Sequence, residues 1–206
     1  MNLQDKLNEK CALQSDIHEH LPTLAEYAKK CSHITEMGVR EVVSTWAFLT
    51  GLSLNGKTER PTLQSYDVYT SANINEALWA ANENNILMEF HCMDVLKADI
   101  QETDLLFIDT LHTYTQLKQE LAMHAHKVRK YIIFHDVVTY GHTPEPSEFK
   151  THSGTVKQIP EVMANYVKND KGIMPAINEF LKAEPSWQVE KHYANNNGLL
   201  IIKRNG

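Results

Sequence analysis

Two stretches of this sequence place acidic and imidazole side chains directly behind apolar runs. One is Phe107-Ile108-Asp109-Thr110-Leu111-His112-Thr113-Tyr114; the other, one helical segment later, is Phe134-His135-Asp136. If the two runs are neighbouring strands, Asp109 and Asp136 converge at one rim of a sheet. Two carboxylates with an imidazole or water make a site for a hard divalent cation, Mg²⁺ or Mn²⁺, because oxygen-rich donor sets favour those ions. His112, three residues beyond Asp109, is near enough to act as a general base on a hydroxyl held there. The competing reading has Asp109 capping the next helix and His135 packed in a core, and these segments alone support both equally.

A second group of residues surrounds Glu36-Met37-Gly38-Val39-Arg40-Glu41-Val42-Val43-Ser44-Thr45. A glycine behind a strand lets the backbone approach a ligand, and the following helix offers free N–H groups. Ligands in open α/β sheets bind beyond the carboxyl ends of the strands. Glu36 would sit low in such a crevice, where a carboxylate can hold a cationic amine. Only one glycine stands where nucleotide-binding turns carry two or three, so a plain turn before a core helix fits at least as well. Asp67 ends the second strand, a place from which acidic residues accept hydrogen bonds from ribose hydroxyls. Asp94, followed by Val95, ends the third and could face an adenine amine. Each of these carboxylates alone also reads as a loop cap. His124 and His126, two apart on a helix, point to different faces and read as solvated surface.

The elements that must position these groups alternate. Strands are expected at His33–Met37, Thr62–Asp67, Ile86–His91, Leu105–Ile108 and Tyr131–Phe134. Helices are expected near Val42–Leu52, at Asn73–Asn84 with Asn73 as N-cap, and at Tyr114–Lys127. Such alternation means βαβ units and a parallel sheet with helices on both faces. After a helix near Ile173–Leu181, Trp187–Tyr193 and Leu199–Lys203 flank Ala194-Asn195-Asn196-Asn197-Gly198, a hairpin that sets the last strand antiparallel. Residues 1–32 read as a helical cap, with Pro22 in the first turn of a helix through Lys30. Residues 141–170 form a polar insertion with Pro144, Pro146, Pro160, His142 and His152, of a length often used for binding loops or lids.

The chain has 206 residues, which suits one domain, 1–206, with a two-sided core. A net charge of -6 argues against a nucleic-acid grip, and Lys127, Arg129 and Lys130 form too small a basic cluster to reverse that. No run of about 18 apolar residues is present to span a membrane, and Met1 to Lys10 lacks the apolar core of a signal peptide. Cys11, Cys31 and Cys92 read as reduced, buried thiols of a cytoplasmic protein.

These motifs together resemble class I S-adenosylmethionine-dependent methyltransferases. More closely, they resemble the subgroup that includes cephalosporin-hydroxylase-like proteins and macrolide-sugar O-methyltransferases. That subgroup has a Glu-x-Gly-x-x-x-Gly-x-Ser-Thr turn, met here from Glu36 to Thr45 with Val42 in place of the second glycine. Phe107 through Tyr114 matches its Phe-Ile-Asp-x-x-His-x-Tyr stretch, and His135-Asp136 its strand-ending pair. The tail from Gly172 through Phe180 to Trp187 and Asn197-Gly198-Leu199 also matches, so the likeness covers residues 33 to 204. It implies a Rossmann-like three-layer α/β sandwich, with a mostly parallel seven-stranded sheet and an antiparallel C-terminal hairpin. It implies S-adenosylmethionine at the first turn, with Glu36, Gly38, Ser44 and Thr45 near the methionine moiety, Asp67 near the ribose, and Asp94 and Val95 near the adenine. It also implies Mg²⁺ or Mn²⁺ on Asp109, His135 and Asp136 with His112 as base, although relatives tend to carry an acidic residue where His135 stands. The expected activity is methyl transfer to a hydroxyl of a small molecule or sugar. A catalytically silent binding protein of the same fold and a catechol-type methyltransferase are the alternatives, and a homo-oligomer stays open.

Overall fold

The computed structural model describes residues 1–146, 148–150, 156–158 and 170–205. The N-terminal segment forms α1 (Leu3–Ala12), a 3₁₀ turn (His18–His20) and α2 (Leu21–Ala28). Then β1 (His33–Met37), α3 (Val43–Ser53), β2 (Thr62–Asp67), α4 (Ile74–Glu83), β3 (Leu87–Cys92), β4 (Thr103–Ile108), α5 (Tyr114–His124) and β5 (Val128–His135) alternate as expected. Within the insertion, β6 (Glu148–Lys150) and β7 (Val156–Gln158) pair antiparallel. The chain closes with α6 (Met174–Ala183), β8 (Trp187–Tyr193) and β9 (Leu199–Arg204).

One sheet of seven strands carries the order β3-β2-β1-β4-β5-β9-β8. The first five strands run parallel, β9 runs antiparallel to β5, and β8 runs antiparallel to β9. This is the Rossmann-like three-layer sandwich that the resemblance implied, with the parallel sheet and terminal hairpin that the strand pattern foretold. Every residue of β4 is buried, as an apolar run without alternation requires of a strand covered on both faces. On one face Trp46, Phe48, Leu49 and Leu52 of α3 are at most 1% exposed. Helix α2 lies directly on α3 because Gly51 has no side chain: a Cβ there would come 2.4 Å from Ala25 O and Ala28 Cβ.

The chain order reverses between β1 and β4, since β2 and β3 lie on one side of that pair and β5 on the other. The carboxyl ends of these two strands therefore frame the crevice in which this class of sheet binds ligands.

Several local expectations are corrected. His124 is buried, not solvated; its Nε2 lies 3.0 Å from Val95 O, while His126 is exposed. The helix from Tyr114 ends at His124 and gives way to a 3₁₀ turn, Ala125–Lys127. Asn73 stands at the N-cap of α4 but makes no side-chain capping bond. All three cysteines are free thiols, but only Cys31 is buried and Cys92 is exposed, because β3 is an edge strand. No helix among the described residues is long and apolar enough to cross a membrane. The expected lid at 141–170 falls largely on residues 147, 151–155 and 159–169, including His152 and Pro160, which lie outside the described residues.

Candidate active site

The first turn is built on close backbone contact. Asp109 N donates to Met37 O at 2.8 Å, and Gly38 N donates to Tyr66 O at 2.9 Å. Gly38 has φ +88, and a Cβ there would stand 1.9 Å from Asp109 O, so only glycine fits. Val42, in the place of the second glycine, keeps a left-handed backbone at φ 63 and ψ 34, an uncommon conformation for a β-branched residue. Its side chain is fully buried, which helps hold it there. Asp67 fastens the turn from β2: its Oδ2 accepts from Val39 N at 2.9 Å and Arg40 N at 2.8 Å, and its Oδ1 accepts from Tyr69 N at 2.9 Å.

A cavity of about 430 Å³ opens along this rim. Gly38, Ser44, Asp67 and Val95 line it on the turn side; Asp109 and His112 line its acidic end. Three of the expected cofactor residues, Glu36, Thr45 and Asp94, do not line it. Glu36 is fully buried and accepts hydrogen bonds from Ser44 Oγ at 2.6 Å, Ser65 Oγ at 2.7 Å and Thr45 Oγ1 at 2.9 Å. Burial pushes its carboxyl up to about 7, although these hydroxyls pull the other way. Thr45 is equally buried. Asp94 caps the 3₁₀ turn that begins at Val95, accepting from Leu96 N at 2.9 Å.

At the acidic end Asp109 does not cap α5; Thr113 does, accepting from Gln116 N at 3.3 Å. Asp109 Oδ1 instead lies 3.1 Å from His112 Nε2 and 3.2 Å from His135 Nδ1. Asp136 Oδ2 meets the same two nitrogens at 3.3 Å and 3.5 Å. Asp136 is itself left-handed, φ 60, and its Oδ1 is buried with no hydrogen-bond partner.

The outer nitrogens of both rings are also engaged. His112 Nδ1 lies 2.8 Å from Glu145 Oε2, which accepts from His112 N as well. His135 Nε2 faces two acceptors, Asp16 O at 3.1 Å and Asn196 O at 3.3 Å, so it carries a proton. Tyr140 stacks on the His112 ring at 5.1 Å. Without a cation, burial works against charge on His112, but Asp136, Asp109 and Glu145 outweigh it and hold the ring well above its usual range. The same contest, with Asp109 the main partner, sets His135 at about 9. Asp109, His112 and Asp136 offer ligand atoms within 4.8 Å of one another, as a metal site requires.

Some of these partners had no mark in the sequence. Glu145 lies between two prolines of a polar insertion, 33 residues beyond His112. Asp16 and Asn196 act through backbone carbonyls, which any residue supplies. Ile17 adds to the cavity wall, and the Arg40–Asp16 ion pair ties the N-terminal segment to the first turn.

No protein-family model matches this chain, and no curated protein matches it by sequence. Solved structures do match. An O-methyltransferase from Bacillus cereus in complex with SAH superposes with a TM-score of 0.58 at 16% identity, covering 98% of this chain and 90% of that one. An SAH-bound methyltransferase from Podospora anserina gives 0.57 at 15% identity, covering 99% and 88%. The O-methyltransferase TomG from Streptomyces achromogenes, involved in tomaymycin synthesis and in complex with SAM, gives 0.57 at 12%, covering 100% and 91%. The fold is that of these methyltransferases.

Proposed function

We propose that this chain is an S-adenosylmethionine-dependent O-methyltransferase that acts on a hydroxyl of a small molecule or sugar, assisted by a divalent cation. The observation that carries this reading is a continuous cavity that joins the Gly38 turn and Asp67 to Asp109 and His112. A donor on the turn side and an acceptor over the acidic end would meet within it. The fold shared with structures that hold SAM or SAH supports the same assignment. The resemblance to macrolide-sugar O-methyltransferases makes a sugar hydroxyl the first acceptor class to test and a phenol the second. The three free thiols suit a cytoplasmic setting.

In this reading Gly38 and Ser44 approach the methionine moiety, Asp67 the ribose and Val95 the adenine. Glu36 and Thr45 act from behind the wall by holding Ser44, and Asp94 holds the turn at Val95. Methyl transfer is an in-line displacement: the C–S bond of the sulfonium breaks as the acceptor oxygen bonds to carbon. Positioning therefore supplies much of the acceleration.

The acidic end suits a cation, because Asp136 Oδ1 has no partner and the facing donors are carboxylate and imidazole. Asp109, Asp136 and His135 would hold it, and it would lend Lewis acidity to the acceptor oxygen. His112 stands beside these residues and lines the cavity, so it would serve as the base. Glu145 would hold its Nδ1–H, leaving Nε2 to take the acceptor's proton.

Incubation with methyl-labelled S-adenosylmethionine and a panel of sugar and phenol acceptors tests the reaction class. Label on a sugar oxygen, lost on adding EDTA, is expected; label on nitrogen, or on no acceptor, contradicts it.

A further inference from the structure

We infer that the cation site is built for an ion that takes nitrogen ligands, such as Zn²⁺, Co²⁺ or Fe²⁺, in preference to Mg²⁺, with His135 as its imidazole ligand. The inference deepens the proposed function and rests on it for the cation's presence.

The two histidines differ in access. His112 lines the cavity, where an acceptor can reach it. His135 is 0% exposed and does not line it, so no substrate meets its ring. Its orientation is nevertheless fixed. Nε2 donates to Asp16 O and Asn196 O, carbonyls that only accept, which directs Nδ1 between Asp109 Oδ1 and Asp136 Oδ2. A distal N–H tied to backbone carbonyls is the usual support for a metal-ligating histidine, because it fixes the tautomer and aims the other nitrogen's lone pair.

The spacing fits as well. Donors about 2.0–2.2 Å from one ion, at tetrahedral or right angles, stand about 2.8–3.6 Å apart. Nδ1 is 3.2 Å from Asp109 Oδ1 and 3.5 Å from Asp136 Oδ2. Asp136 carries the second, independent sign: its side chain is 7% exposed and its Oδ1 is buried without a partner. Mg²⁺ demands oxygen donors and keeps its waters, whereas imidazole suits the later first-row ions. A fixed buried imidazole among two carboxylates therefore moves the preference away from Mg²⁺.

The rival is a site with no metal, in which a doubly protonated His135 neutralises the two carboxylates. Full-length protein stripped with a chelator separates the two when Zn²⁺, Mn²⁺ and Mg²⁺ are titrated in competition with a chromophoric chelator. One ion per chain is expected, with Zn²⁺ tighter than Mg²⁺ by more than about tenfold. Loading with Co²⁺ should give a paramagnetically shifted imidazole N–H resonance in the proton NMR spectrum. It should exchange slowly, because His135 Nε2–H is buried, and survive in His112→Ala. The His135→Asn variant should lose the resonance and most of the Zn²⁺ preference. The NMR readout on unaltered protein stands even if that variant fails to fold. Binding of Mg²⁺ as tightly as Zn²⁺, binding of no ion, or absence of the shifted resonance overturns the inference. A titration with S-adenosylhomocysteine on the same stripped sample keeps the two claims apart: if it binds while the metal result fails, only the cation assignment falls. If it does not bind, the methyltransferase reading falls whatever the metals do.

Discussion

Gly38 and Asp109 share one point of the sheet: a Cβ on Gly38 would lie 1.9 Å from the carbonyl oxygen of Asp109. The turn that would cradle a donor and the carboxylate that would act on an acceptor are thus set by adjacent parallel strands, β1 and β4. Gly38→Ala combines a left-handed backbone with that overlap. It should cost roughly 2–4 kcal/mol of stability in chemical denaturation and abolish binding of S-adenosylhomocysteine. Wild-type stability and affinity in this variant would mean that the turn has room the geometry denies.

Val42 predicts an inverted ranking. At an ordinary position Ala is preferred to Gly, but a left-handed backbone costs an L-residue about 1–2 kcal/mol. Both substitutions lose buried apolar surface at a fully enclosed site. Val42→Gly should therefore be the more stable of the two by about 1 kcal/mol, measured as the difference in urea unfolding free energies. A more stable Val42→Ala would show that this residue is not left-handed in solution.

Glu36 gives the fold a pH dependence of defined sign. Its carboxyl is raised from 4.5 to about 7 by burial, so the folded state holds the proton more tightly than the unfolded state. This contribution is full below about 4.5 and declines as pH rises toward about 7, at no more than about 1.4 kcal/mol per pH unit. The unfolding free energy of wild type minus that of Glu36→Gln should fall across this window and level off above it. A difference that is flat, or that rises with pH, would show a carboxylate stabilised by Ser44, Thr45 and Ser65 instead.

His112 tests the division of labour along the cavity. His112→Ala removes the proton acceptor but leaves the Gly38 turn and Asp67 in place. Turnover should drop by about 10²–10⁴-fold, while affinity for S-adenosylhomocysteine should change little. Retained turnover would remove His112 as the base.

The sheet was legible in the sequence because buried parallel strands read as uninterrupted apolar runs, as at Leu105–Ile108 and Tyr131–Phe134. The hairpin was legible from its Asn-Gly turn. Asp109 and Asp136 could be paired on paper because both follow such runs. What could not be read is depth. Glu36 was expected low in the crevice, and the three hydroxyls from α3 and β2 that enclose it there could not be foreseen, because no spacing along one segment reveals neighbours from another. His124 looked solvated because periodicity tells which residues share a face, not what covers that face; its cover is Val95, 29 positions earlier. Glu145, Asp16 and Asn196 escaped because a loop carboxylate and two backbone carbonyls carry no pattern.

Calorimetric titration of the full-length protein with S-adenosylhomocysteine bears most directly on whether this cavity is a methyl donor's site. One molecule per chain, with a dissociation constant on the order of micromolar, is the expected result, abolished in Gly38→Ala and weakened in Asp67→Asn. No binding by the wild type, or unchanged binding by both variants, would contradict it.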